Sequence, residues 1–177
     1  MHLPRFSITS FLGVAAFGCL SCLVALAAPI LPVGVRLSDE IRSTAGIDRL
    51  HLVIMPLPKP LKEEGFVRHD VHEQWREHLA EAGIKLAPSD EAPTLRLVVT
   101  MFTDVTVPGA FGYLNILTLE QNVQVENKEG QLRVPTWTGL HMGMKTKEHL
   151  TDGFQATLDE SISHFLVRVA SANRQAE

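Results

Sequence analysis

Apolar residues recur along this chain with two periods, and each period predicts its own kind of element. Val67, Val71, Trp75, Leu79 and Ala82 are spaced four, four, four and three residues apart, one stripe of a helix over Val67 to Ala82. Arg68, Glu73, Arg76, Glu77 and Glu81 lie largely off that stripe, and Gly83 supplies a left-handed stop. Phe154, Leu158, Ile162, Phe165 and Val169 repeat the pattern in a last helix, capped by Thr151 and running to about Ala172. Asp152 near its start and Arg168 and Arg174 near its end suit the helix dipole. Trp75 and Phe165 are expected in the core between these helices and a sheet.

The middle of the chain alternates instead. Thr94 to Val105 puts Leu95, Leu97, Val99 and Met101 on one face, and Arg96, Val98, Thr100 and Phe102 on the other. Leu114 to Val125 separates Leu117, Leu119, Val123 and Val125 from Thr118, Glu120, Asn122 and Gln124. One wet face implies an antiparallel sheet covered on one side only. After a turn at Asn127-Lys128-Glu129-Gly130, Leu132 to Met144 continues the meander, with Leu132, Val134, Leu140 and Met142 as its inward set. Pro135 predicts an edge or a bulge there, and alternation places Trp137 on the uncovered face. Upstream, Leu50, Leu52, Val53, Ile54 and Met55 form a short apolar run between Arg49 and Leu57, which reads as a buried strand. Pro56, Pro58 and Pro60 predict an extended loop closed by Gly65, and Ile84 to Ala87 a short strand. Ser38 to Ser43 reads as a short helix stopped by Gly46.

The order is strand, helix, short strand, three long strands, helix. The simplest solution is an α+β fold in two layers: a mixed, mainly antiparallel sheet of four to five strands with two helices packed on one face. This layout resembles small envelope domains such as the amino-terminal domain of the Tol–Pal propeller protein and the lipoprotein partner in lipopolysaccharide assembly. The resemblance is one of element order from Arg49 to Ala172, and no shared motif carries it. It implies a soluble envelope domain and does not by itself imply an activity.

Between Arg5 and Arg36 there is no charged residue. Arg5 ends a short basic segment, Phe6 to Leu26 is apolar, and Ala25-Leu26-Ala27 is an A-x-A pattern, the three parts of a secretory signal peptide. Residues 1–27 therefore read as a leader, 28–48 as a tether and short helix, and 49–177 as a single α/β domain. Two other readings of the leader stay open. Phe6 to Ala28 is long enough for an uncleaved membrane anchor, because a span needs about 20 apolar residues. Cys19 or Cys22 could carry a lipid, although Phe17 beside Gly18, and the lack of a leucine three places before Cys22, argue against it. Cys19 and Cys22 are the only cysteines, so a mature domain without them has no disulfide, no thiolate nucleophile and no cysteine-ligated metal. About 150 residues remain after residue 27, and a chain of that length buries roughly 68–70% of its unfolded surface. Removing Arg5 from the 16 Lys+Arg leaves 15 against 20 Asp+Glu, a net charge of −5 that makes nucleic acid a poor partner.

Candidate chemistry is sparse. His69 and His72 are three apart on the first long helix and could share a metal. His72-Glu73 starts like H-E-x-x-H, but Arg76 stands where the second histidine belongs. Ser161 and Ser163 sit near His164 without a G-x-S-x-G elbow, and no phosphate or dinucleotide loop occurs. Binding residues are more evident. Val105 to Leu114 is an uncharged apolar segment containing Pro108, Phe111 and Tyr113, and an exposed patch of this kind marks a protein or membrane contact. Its alternative is a fold-back of Phe111 and Tyr113 onto the sheet edge. With Leu114 and Trp137 these residues form the predicted interaction set, and Pro56 to Leu61 is a second docking candidate or a stiff connector. The expected function is that of a non-catalytic exported envelope protein without cofactor. It would be periplasmic or held at the inner membrane, as an accessory or assembly subunit with a protein partner in a larger membrane-associated complex. A carrier that holds an apolar molecule or lipid between sheet and helices is one alternative. A hydrolase with an unrecognised site is another.

Overall fold

Two helical stripes and one meander account for most of the architecture. A computed structural model describes residues 39–103, 108–126 and 129–176. The leader with Cys19 and Cys22, the tether through residue 38, and the predicted turn at Asn127-Lys128 lie outside the described residues. The elements are α1 (Asp39–Thr44), β1 (Arg49–Ile54), α2 (Lys59–Glu63), α3 (Arg68–Glu81), β2 (Lys85–Leu86), β3 (Thr94–Thr103), β4 (Ala110–Gln124), β5 (Gln131–Thr146), a 3-10 turn (Lys147–His149) and α4 (Leu150–Ala176). The sheet order is β2-β1-β3-β4-β5. β1 runs parallel to both its neighbours, whereas β3, β4 and β5 form an antiparallel meander. The fold is thus the α+β arrangement that the periodicity predicts.

Each long helix is held by its stripe. Val71, Trp75 and Leu79 of α3 and Phe154, Leu158, Ile162, Phe165 and Val169 of α4 are buried in one cluster with Leu50, Leu52, Leu95, Leu97, Leu117 and Leu119 of the sheet. Trp75 and Phe165 are both in the core, as expected. The α3 stripe is shorter than its sequence pattern, because Val67 at the helix start is exposed. Gly83, at φ 78°, ends α3. There the amide of Ile84 donates to the Leu79 carbonyl at 2.8 Å and that of Gly83 to the Ala80 carbonyl at 3.0 Å, the paired bonds of a left-handed helix stop. A polar seam also ties α4 to β4. Tyr113 Oη and Thr157 Oγ1 lie 3.3 Å apart, and Asn115 Nδ2 donates to Ser161 Oγ at 3.5 Å.

Three expectations need correction. The proline-rich segment is not an extended loop. Pro58 precedes α2 and Pro60 lies in its first turn, where proline sacrifices no helical hydrogen bond. Leu57 and Leu61 are buried, so this segment is part of the core and not a free docking peptide. The apolar segment before Leu114 is not a loop throughout, since β4 already begins at Ala110 and pairs with both neighbours from Phe111 onward. The third correction concerns β5. Leu119 pairs with Trp137 but Glu120 pairs with Pro135, so Thr136 is an extra residue and the register shifts there. The bulge that Pro135 predicts is present, and it inverts the face of every residue after it. Trp137 therefore points to the helices and Leu140 and Met142 point away, the reverse of their expected sides.

Candidate functional site

The uncovered face of the sheet is apolar over most of β3, β4 and β5. Cross-strand pairing aligns Val98 with Ile116 and Leu140, Thr100 with Leu114 and Met142, and Phe102 with Gly112 and Met144. Paired residues share a face, so these rows form one continuous surface. Leu140 is 61% exposed, Met142 75%, Met144 52% and Phe102 49%, values that belong to a surface with no second layer among the described residues. Val98, Leu114 and Ile116 are half-buried, shielded only by their neighbours. An antiparallel sheet normally turns polar residues to water. A contiguous apolar patch with a polar rim is instead the signature of an interaction site.

The rim has a definite polar end. Arg96 donates from Nε to Glu120 Oε1 at 2.8 Å and from Nη2 to Oε2 at 3.1 Å, a two-pronged ion pair. The hydrogen bond from Arg96 holds the Glu120 carboxyl below its ordinary value, and the positive charges of Arg96 and Arg133 act in the same direction against partial burial. At the other end Phe102 lies across Gly112, where any Cβ would meet its ring.

Of the predicted interaction residues, the structure separates two from three. Leu114 lies in the open face, and Pro108 is exposed in the turn before β4. Phe111 packs on the helix side as a half-buried neighbour of the core. Tyr113 and Trp137 are core residues, 1% and 4% exposed. Tyr113 sits edge-on to Phe154 at 5.5 Å between ring centroids, and Trp137 packs against Phe165 at 5.4 Å. Glycines make room for both rings. A Cβ on Gly139 would lie 2.7 Å from Trp137 Cη2, and one on Gly143 would meet the Tyr113 ring. Sequence reasoning missed Leu140, Met142 and Met144 as surface residues. Pro135 was the available signal, since a bulge there requires the faces to be exchanged downstream.

The histidines fall into two places. His69 and His72 line an open groove of about 430 Å³ with Glu73, Arg68 and the end of β1. His72 Nδ1 lies 3.2 Å from Glu73 Oε1, and Arg76 Nε donates to Glu73 Oε2 at 2.7 Å. The Arg76 hydrogen bond, then the His72 one, hold the Glu73 carboxyl below its usual value. On β5 and α4, His141 Nε2 and His164 Nδ1 are 3.3 Å apart. Burial lowers the His141 pKa, with His164 adding to the effect and Glu160 opposing it. No group of three or more His, Cys, Asp or Glu side chains is gathered for a metal ion among the described residues. Among the same residues no helix is long and apolar enough to cross a membrane. The space between sheet and helices, where a carrier would hold its cargo, is filled by Trp75, Tyr113, Phe154 and Phe165.

No protein-family model matches this chain, and no curated protein matches it in sequence. Solved structures give loose likenesses. A minor lipoprotein from Acinetobacter baumannii is 12% identical with a TM-score of 0.41, over 70% of this chain and 91% of that one. The rare lipoprotein B from Shewanella oneidensis is 13% identical with a TM-score of 0.27, over 72% of this chain and 90% of that one.

Proposed function

We propose that this chain is a non-catalytic exported envelope protein, an accessory or assembly subunit that seats one protein partner on the open face of β3, β4 and β5. The observation that carries the reading is the uncovered apolar surface from Val98 to Met144. Leaving such side chains in water forgoes roughly 25 cal/mol for every Å² that a partner would bury. The rim favours a protein as the occupant. Arg96 and Glu120 present both signs of charge in fixed geometry, which a protein surface can complement residue by residue. The uncharged stretch between Arg5 and Arg36 supports export, with the leader cleaved or kept as an anchor.

Co-purification from the native membranes in mild detergent tests the reading. The wild-type chain should bring down a stoichiometric protein partner, and a Leu140→Asp/Met142→Asp variant with an unchanged circular dichroism spectrum should lose it. Retention of the same partner by that variant would remove the open face from the account. A stoichiometric lipid or other small apolar molecule in place of a protein would turn the reading toward a carrier.

A further inference from the structure

Two histidines face each other on the other side of the sheet, where α4 crosses β5. His141 is on β5 after the bulge and faces the helix; His164 is on α4. Their facing nitrogens, His141 Nε2 and His164 Nδ1, are 3.3 Å apart, with the rings at 76°. Two imidazole nitrogens bound at 2.0–2.1 Å to one tetrahedral metal ion are separated by about 3.3–3.4 Å, from the tetrahedral angle. The same spacing also allows a single N–H···N hydrogen bond, which is what the pair forms when only a proton lies between them.

His141 has a carboxylate on its far side, as metal-binding imidazoles usually do. The second nitrogen of His141, Nδ1, faces Glu160 Oε1 at 4.0 Å. A carboxylate behind a histidine fixes the tautomer that leaves Nε2 free, and this is the usual outer support of a metal-binding imidazole. The Glu160 side chain is exposed, so closing the last ångström needs only a rotamer change. Trp137 lies edge-on to the His164 ring at 6.1 Å between centroids. Both backbones are regular secondary structure within one packed core, so the two nitrogens are presented by rigid elements.

We propose that His141 Nε2 and His164 Nδ1 bind one divalent metal ion of the imidazole-preferring class, Zn²⁺, Ni²⁺ or Cu²⁺, with Glu160 orienting His141 and solvent completing the coordination. In the free pair, His164 Nδ1–H donates to His141 Nε2. On binding, that proton moves to His164 Nε2 through solvent, and both facing lone pairs turn to the metal. No net proton is released from two neutral rings. The ion would join the middle of α4 to the edge strand β5. This site stands apart from the open face, and its failure would leave the proposed function untouched.

The test uses the full-length chain, purified without a histidine tag and stripped with a chelator, titrated with ZnCl₂ in a calorimeter. One Zn²⁺ per chain is expected. His164→Asn should abolish saturable binding, and Glu160→Gln should weaken it by about tenfold. His164 is exposed, so His164→Asn should melt like the wild type without metal. As a check that needs no variant, Ni²⁺ should broaden the imidazole resonances of His141 and His164 before those of His69 and His72. No saturable binding by the wild type would overturn the proposal. So would unchanged binding by a folded His164→Asn chain, or first broadening at His69 and His72.

Discussion

The two faces of this sheet are made by the same strands and are both rich in aliphatic residues, yet among the described residues one is sealed and the other is not. On the sealed face, Leu95, Leu97, Leu117 and Leu119 meet α3 and α4. On the open face, Val98, Leu114, Ile116, Leu140 and Met142 meet water. Hydrophobicity therefore does not say which face is the core. The helices decide it, because each carries one stripe wide enough to cover one layer. The apolar residues left over are a feature of the surface, and at a surface they indicate a contact.

The largest expected effects lie on the sealed side. Trp75→Ala and Phe165→Ala should each cost about 3–5 kcal/mol in urea unfolding, because both side chains are fully buried. Met142→Ala, equally apolar in kind, should stay within about 0.5 kcal/mol of wild type. Similar losses for all three would mean that a second layer covers the open face in the free protein.

How much of this contrast the sequence discloses depends on the element. The α3 and α4 stripes are legible from Val71 to Leu79 and from Phe154 to Val169, because no inserted residue interrupts the helical period in either stretch. The alternation of β3 is equally legible. β5 is not, because a period of two is reversed by one inserted residue. Leu132 and Val134 precede the bulge, and Leu140 and Met142 follow it, so a single alternation through all four assigns half of them to the wrong side. Tyr113 and Phe111 fail for another reason. Pro108 and Gly109 suggest a loop, but β4 starts directly after them, and its first residues are apolar because they line both faces of a strand. Nothing local in the sequence predicts the meeting of His141 and His164, since it depends on where α4 crosses the bulged strand.

The glycines under the aromatic rings allow a finer comparison of the faces. Gly143→Ala would place a Cβ against the Tyr113 ring, which is buried under α4 and cannot leave. A loss of about 1–3 kcal/mol is expected, as for other overpacked cores. Gly112→Ala meets the Phe102 ring in the same way on the open face, but that ring is half-exposed and can swing into solvent. Its thermal midpoint should fall by less than that of Gly143→Ala. The reverse order would show that Phe102 is held in place by something beyond the strands described.

A smaller effect concerns the charged rim. Glu120 has its pKa lowered by the Arg96 hydrogen bond, with Arg96 and Arg133 as the facing charges. Its folded value lies below the unfolded one, about 4.3 for a glutamate. The pair's contribution is therefore complete above that value and is lost as pH falls through it toward the folded pKa. Both side chains keep some exposure, which limits the contribution to about 1 kcal/mol. Denaturation of Glu120→Gln at pH 7 should show this loss, and the difference from wild type should shrink as pH falls below about 4. A difference that stays constant down to pH 3 would mean that Glu120 acts through packing and not through its charge.

The smallest effect on stability is expected at the centre of the open face, where the effect on behaviour is largest. Met142→Asp places a carboxylate at a position that is already 75% exposed, so the charge stays hydrated in the free protein. The unfolding free energy should move by no more than about 0.5 kcal/mol. A dye that fluoresces on apolar surfaces, such as anilinonaphthalene sulfonate, should bind the native wild-type chain and bind the variant less, because the new charge both hydrates the patch and repels the anionic dye. Leu140→Asp should act alike from the next row of the ladder. A Thr138→Asp control adds the same charge on the same strand and face, next to Thr118 instead of the aliphatic rows. That control separates loss of the patch from simple charge repulsion. If Thr138→Asp lowers dye binding as much as Met142→Asp does, charge alone explains the effect and the apolar rows do not form a binding surface. If only the two aliphatic positions respond, the open face is a surface that holds apolar groups, which is the physical requirement for the partner site proposed on it.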